Sequence, residues 1–311
     1  MTSLERFYPV GTPGVAWGEA EVAQWLARQT HQRSHHDDVV TAIDDLRDRF
    51  DVEPYGELVY ANGRWPLIAL KSRDWNDALP VMLVTGGVHG YETSGVHGAL
   101  LFARQHAAMY AGRANLIIVP CVSPWGYEVI HRWDPLALDP NRNFRADSPA
   151  PESRALWDFL APWRERIAMH IDLHETTDTD ESEFRPALAA RDGTAFEPGT
   201  IPDGFYLCGD REHPQPAFQQ AVIEAVAKVT HIAPADPDGT IIGSPVVAHG
   251  VIQYPLEAWY LCAGITHAPY RTTTEVYPDS PTATPEECNI AQAVAVCAAI
   301  DYALAHPATR G

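Results

Sequence analysis

Pro80-Val81-Met82-Leu83-Val84-Thr85, followed at once by Gly86-Gly87-Val88-His89-Gly90-Tyr91-Glu92, is the stretch from which the fold is read. The first six residues form a short apolar run, which predicts a strand buried on both faces. The glycines let the chain turn sharply and approach a ligand closely. The spacing then predicts a helix from about Thr93 to Tyr110. Downstream, Leu116–Val122 repeats the buried-strand pattern. The residues 123–150 are rich in Pro, Asn, Asp and Arg and read as a long functional loop. A helix over Glu152–Ile167 leads into a strand at Ala168–Leu173. A polar loop fills 175–204, and a helix follows at Pro216–Val229. Strands at Val251–Leu256 and Thr272–Tyr277 precede a C-terminal helix, Pro285–Ala305. Upstream, helices at Glu19–Arg28 and Asp37–Phe50 make a helical lead-in covering 1–55. Strands at Gly56–Ala61 and Pro66–Ser72 pair around an Asn62-Gly63 turn. Buried strands alternating with amphipathic helices give an α/β fold with helices on both faces of the sheet. With no internal repeat or linker, 1–311 reads as a single catalytic domain.

Composition narrows the partners. The 311 residues are 46% hydrophobic and 20% charged, ordinary for a globular protein. The net charge of −19 repels nucleic acid and anionic membranes, so neither is expected to bind. The apolar runs reach only about ten residues, short of a bilayer span. The start, MTSLERFYPVG, has Glu and Arg where a signal peptide needs an apolar stretch, so a cytoplasmic location is expected. Cys121, Cys208, Cys262, Cys288 and Cys297 are scattered, without a CxxC pair. They read as small buried thiols, not as a disulfide framework or a thiolate metal site.

In open α/β sheets the site lies beyond the carboxyl ends of the strands. His89 and Glu92 sit there, three apart on a strand-to-helix turn. A catalytic zinc takes imidazole nitrogens and a carboxylate and keeps one position open. An HxxE pair alone is weak, because a loop histidine bonded to backbone fits the same letters. Asp172-Leu173-His174-Glu175, at the end of another buried strand, offers His174 as the third ligand. His97 lies along the following helix and reads as packing. His35, His36, His106, His131 and His249 lack a partner at ligand spacing.

These residues resemble the zinc metallocarboxypeptidase family, the relatives of carboxypeptidase A, in the style of short bacterial members such as murein tripeptide amidase. The resemblance is an ordered series: His89-x-x-Glu92, Arg132, Asp139-Pro140-Asn141-Arg142-Asn143-Phe144, Asp172-Leu173-His174 and Thr273-Thr274-Glu275, over roughly 83–299. It implies a mixed, mostly parallel eight-stranded sheet between helices. It implies one Zn2+ per chain, held by His89, Glu92 and His174. Arg132 then polarises the scissile carbonyl, Asn141 and Arg142 clamp a substrate carboxylate, and Asp139 orients the first zinc histidine. Glu275 is the general base toward the zinc-bound water. Each role suits its chemistry: a guanidinium fork matches a carboxylate, and a carboxylate behind a histidine fixes its tautomer. The chain departs from the family at Pro140, and at Trp125 in Ser123-Pro124-Trp125-Gly126, where relatives commonly have Asn-Pro-Asp-Gly. The family's mobile tyrosine could be Tyr254, Tyr260 or Tyr270.

The expected function is zinc-dependent hydrolysis of a peptide or amide bond beside a free carboxylate, on a peptide or small amino-acid-derived substrate. The alternative is a deacylase of N-acyl amino acids, of the aspartoacylase or succinylglutamate desuccinylase kind. A remote one is an inactive metal- or peptide-binding protein on the same scaffold. The acidic run Glu175–Glu183 reads as a solvated loop, as a selector of cationic substrates, or as a second cation site.

Overall fold

Strands with no polar edge to offer end up in the middle. In a computed structural model that describes residues 6–308, Val81–Gly86, Asn115–Val119 and Ile167–Glu175 are buried along almost their whole length. In chain order the helices are α1 (Glu19–Leu26), α2 (Thr41–Asp44), α3 (Thr93–Gln105), α4 (Pro124–Val129), α5 (Pro151–Leu160), α6 (Arg185–Asp192), α7 (Pro216–Val226) and α8 (Pro285–Ala305). The strands are β1 (Phe50–Tyr60), β2 (Gly63–Ser72), β3 (Val81–Gly86), β4 (Asn115–Val119), β5 (Ile167–Glu175), β6 (Tyr206–Asp210), β7 (Thr240–Ile241), β8 (Ser244–Pro245), β9 (Val251–Tyr254) and β10 (Tyr270–Val276). Eight of them form one sheet in the order β1-β2-β4-β3-β5-β10-β6-β9, and β7 and β8 make a separate small hairpin. The core strands β4, β3, β5 and β10 are parallel, as are β6 and β9, whereas the pairs β1–β2, β2–β4 and β10–β6 are antiparallel. The fold is therefore the mixed, mostly parallel eight-stranded sheet that the sequence resemblance implied.

Side chains alternate between two layers. Met82, Val84, Leu116, Ile118, Ile171 and Leu173 pack with buried residues of α3, α7 and α8. Val81, Leu83, Ile117 and Val119 face the other way, onto Leu156 and Leu160 of α5 and the loop around Cys262–Ala268. A third cluster, rich in tryptophan, joins the N-terminal arm to α4 through Trp25, Trp125 and Trp133.

Several elements differ from the sequence expectations. The helix expected over Asp37–Phe50 shrinks to a π turn and α2, because β1 begins at Phe50, inside the expected helical lead-in of 1–55. The β1–β2 turn is Ala61-Asn62, since Tyr60 already pairs with Gly63. The polar stretch 175–204 contains α6, started by Pro186 in its first turn and stopped by Gly193 at φ +68°. Strand β6 was not expected at all. Against the expectation from apolar runs, α8 is long and apolar enough to cross a membrane by length and composition alone. Its Ala291, Ala295, Val296, Ala299 and Ile300 are nevertheless buried in the main core.

Candidate metal centre

Backbone geometry delivers the first two groups. Beyond β3, Gly87 adopts φ +57°, a conformation that glycine takes at no steric cost. At Gly90 the chain passes so close to α4 that a Cβ there would lie 2.0 Å from the Tyr127 nitrogen. This tight turn sets His89 beneath Glu92, which caps α3. His174 is the penultimate residue of β5, not a residue beyond the strand, and β5 lies beside β3.

The three side chains converge. One ligand atom from each of His89, Glu92 and His174 lies within 4.8 Å of the others, and all three residues are buried. His89 Nδ1 is 2.7 Å from Glu92 Oε1, and His174 Nδ1 is 2.7 Å from Glu92 Oε2. The far nitrogens are anchored: His89 Nε2 contacts Asp139 Oδ1 at 2.9 Å, and His174 Nε2 contacts Asp172 Oδ2 at 2.7 Å. When Nε2–H donates to its carboxylate, the Nδ1 lone pair of each ring is available to an ion held beside Glu92. Two Nδ1 atoms gathered on one buried carboxylate call for positive charge, which a proton on His174 or a metal ion can supply. The donor set of two imidazoles and a carboxylate suits a divalent metal such as zinc.

Without an ion, the charges of the cluster compensate one another. Burial raises the Glu92 pKa, yet His174 and His89 overcome it and hold the carboxyl at about 2. Burial lowers the His174 pKa, but Glu92 and Asp172 outweigh that and raise it well above the usual histidine value. Asp139 is held well below its usual range, because Arg132 and His89 prevail over its desolvation.

Around this centre stand the other predicted residues. Parallel register sets Glu275 of β10 directly beside His174, and its Oε2 accepts a 3.0 Å hydrogen bond from Thr176. Burial pushes its carboxyl up to about 8, against the pull of His174 and with the help of Glu92 and Asp180. Arg132 donates from Nε to Asp139 Oδ2 at 3.1 Å and from Nη1 to Asp180 Oδ1 at 3.5 Å. Asp139 therefore serves His89 and Arg132 at once. Arg142 donates to the Asn141 carbonyl at 2.7 Å and pairs with no carboxylate among the described residues. Asn141 is buried, and its side-chain oxygen accepts from the Cys262 N–H at 2.7 Å, which commits that oxygen to the loop.

The remaining candidates sort themselves. His97 meets the Tyr127 hydroxyl at 3.3 Å, outside the cluster. Tyr270 donates to the His306 carbonyl, and Tyr260 lies exposed with Arg145 over its ring. Tyr254 is the tyrosine that feels both Glu275 and Arg142. In the acidic run, Asp178 is exposed and accepts from the Tyr277 hydroxyl, and the other carboxylates are engaged by groups of the chain. Glu175 accepts from the Ser94 and Thr93 N–H groups at 2.5 and 3.2 Å and so caps α3 beside Glu92. Asp180 accepts from Tyr91 and Arg132, and Glu183 from Tyr8. Glu181 binds Arg185 and the Gly199 N–H.

Sequence reasoning missed Asp172, Asp180, Thr176 and Gln292. A carboxylate two residues before a strand histidine shares its face, which was the available signal for Asp172. Gln292 of α8 donates to the His174 carbonyl at 2.8 Å and accepts from Thr274 at 2.5 Å, a contact no local pattern announces.

A family model for the succinylglutamate desuccinylase/aspartoacylase catalytic domain matches residues 78–193, a segment that holds His89, Glu92, Arg132, Asp139, Asn141, Arg142 and His174 but not Glu275. Among solved structures, the chain is similar to a candidate metallopeptidase from Shewanella amazonensis SB2B, with TM-score 0.61 and 19% identity, covering 91% of this chain and 92% of that one. A second, from Shewanella denitrificans OS217, gives TM-score 0.61 and 19% identity over 85% and 88% of the two chains. A metallo-carboxypeptidase from Burkholderia cenocepacia gives TM-score 0.57 and 16% identity over 85% and 67%. No curated protein matches the chain. The chain thus has a zinc carboxypeptidase-like fold, in which the segment carrying the His-Glu-His cluster matches the succinylglutamate desuccinylase/aspartoacylase catalytic domain.

Proposed function

We propose that this protein is a zinc-dependent hydrolase that cuts a peptide or amide bond next to a free carboxylate. The observation that carries the reading is the buried His89–Glu92–His174 cluster with both Nδ1 atoms turned inward and Glu275 in register beside it. A divalent metal bound there supplies Lewis acidity toward water and the amide carbonyl. Glu275 takes the proton of the attacking water and returns it to the leaving amine. Arg132, fixed between Asp139 and Asp180, donates to the carbonyl oxygen as negative charge builds on it. Arg142, unpaired with any carboxylate among the described residues, receives the substrate carboxylate.

A second reading is favoured by the matched segment 78–193: a deacylase that releases an amino acid from its N-acyl form. Both readings use the same residues and differ in what lies on the acyl side. The deciding experiment gives the metal-loaded protein a blocked peptide, the same peptide with a free C-terminus, and an N-acyl amino acid. Cleavage of the free-ended peptide but not the blocked one supports the first reading. Cleavage of the N-acyl amino acid alone supports the second. Cleavage of the blocked peptide at equal rate removes the carboxylate from the mechanism.

A further inference from the structure

One arginine from outside the matched segment reaches the turn that carries two of the three ligands. Arg33 follows α1 and lies upstream of residues 78–193. The chain around it is strapped to the end of α4. The Gln32 and Arg33 N–H groups donate to the Glu128 carbonyl at 2.8 and 3.3 Å, Gln32 Nε2 to the Val129 carbonyl at 3.1 Å, and the His35 N–H to Glu128 Oε1 at 3.0 Å. From this footing the guanidinium lies over the Tyr127 ring, 3.8 Å from its centre, and spreads across the turn. Nη2 donates to the Gly90 carbonyl at 2.8 Å and to the Tyr91 carbonyl at 3.3 Å. Nη1 donates to Thr93 Oγ1 at 2.7 Å, and Nε to the Tyr127 carbonyl at 2.5 Å. Gly90 and Tyr91 are the two residues between His89 and Glu92, and Thr93 opens α3.

The chemistry of these contacts goes past packing. All four acceptors are neutral, so they use the planar fork of donors that arginine alone offers, not a paired charge. Among the described residues no other group donates to the Gly90 carbonyl, and Gly90 is buried. A buried carbonyl left without a donor costs free energy, so without Arg33 the turn would rotate toward water. Gly90 has no side chain to anchor it either, because α4 passes too close for a Cβ. Arg33 therefore ties the turn to α4 from outside both. The tie is kept although a cation at the start of α3 meets the positive end of the helix dipole. Glu175, which accepts from the Thr93 and Ser94 N–H groups, offsets that cost.

We propose that Arg33 is a positioning residue of the metal centre: by fixing the Gly90 and Tyr91 carbonyls against α4, it holds His89 and Glu92 at ligand spacing before the ion arrives. The proposal rests on the metal site of the hydrolase reading and is independent of which amide is cut. Ligands already held in place lose less freedom on binding, so the clamp is read as metal affinity.

The experiment measures the zinc Kd of the full chain by competition with a chromophoric chelator, for the native protein, Arg33→Ala and Leu46→Ala. Leu46→Ala truncates the main core and is the control for general destabilisation, followed by melting temperature. Arg33→Ala is expected to raise the zinc Kd about 10–100-fold, the usual effect of removing a group that orients metal ligands. Leu46→Ala is expected to melt at lower temperature and keep a Kd near that of the native protein. Where Arg33→Ala does not fold, Arg33→Lys, which keeps the charge and loses the fork, carries the same comparison. A native Kd in the Arg33 variant, or a loss as large in Leu46→Ala, overturns the proposal while leaving the metal centre in place. A native protein that binds no zinc overturns the hydrolase reading instead. The clamp on the turn is then judged by amide hydrogen exchange of the metal-free protein. Faster exchange over 88–93 in Arg33→Ala than in Leu46→Ala sustains it, and equal exchange overturns it.

Discussion

Glu275 shows how one residue's surroundings prepare its chemistry. Its carboxyl, at about 8 in the protein without metal, is too weak an acid to be ionised at neutral pH. A nearby dication favours the ionised form and brings the value down, so the base becomes active when the metal is in place. Glu275→Gln is expected to lower kcat by about 10²–10⁴-fold with metal content unchanged, as kinetics beside elemental analysis would establish. Its acid limb in the kcat/KM profile should vanish as well. Normal turnover in the variant removes Glu275 from the mechanism. Asp180, which the sequence offered only as one carboxylate of the acidic run, holds Arg132 and Tyr91 together. Asp180→Asn is expected to lower kcat about 10-fold with KM nearly unchanged, because a poorly held guanidinium loses contact mainly in the transition state. An increase in KM alone would show that Asp180 serves binding.

At the scale of elements, the strand-to-helix turn after β3 carries the centre. Gly90→Ala forces a methyl group against the α4 backbone at 2.0 Å, where nothing flexible can give way. The expected loss is about 1–3 kcal/mol or more of stability, together with weaker metal retention, measured by denaturant titration and by dialysis against a chelator. Unaltered stability would mean that the two backbones separate freely. The same turn was fully legible in the sequence, because an apolar run followed by glycines and His-x-x-Glu speaks through local geometry. The ends of β5 and β10 were legible for a like reason. The strand β6, which flanks β10, was not, since Tyr206-Leu207-Cys208-Gly209-Asp210 is short and ends in residues that favour turns. Helices α4 and α6 hide in polar, proline-rich stretches, where capping signals are present but periodicity is short. Partners such as Asp180 and Gln292 become visible only when distant segments meet. The individual letters of the acidic run could not say that Glu175 and Asp180 are buried while Asp178 is exposed.

For the molecule as a whole, buried acids set the response to pH. Burial raises Asp134 and Glu175 to about 7 and Glu275 to about 8. A carboxyl raised on folding contributes stability that is complete below its unfolded value and is lost as pH climbs through the folded one. His174, raised by its carboxylate neighbours against burial, acts in the same direction. Burial lowers His35 and His170 to about 4, so their contribution is lost as pH falls below the usual histidine range. The metal-free protein is therefore expected to melt at lower temperature as pH rises from about 6.5 to about 8.5, where His35 and His170 no longer titrate and the raised carboxyls ionise. Calorimetry across that range would check it, and a melting point that climbs toward pH 8.5 would contradict the assignment. The N-terminal arm belongs to this larger scale too. The Trp17 N–H donates to the Arg191 carbonyl at 2.8 Å, and Tyr8 reaches Glu183, so the arm is stitched to α6 and the turn before it. Trimming residues 6–26, or crowding them with a bulky affinity handle, would remodel the cleft that Trp17 lines together with Arg132 and Arg142. Preparations differing only at that end should then rank substrates differently, although each keeps the same ligands for its ion.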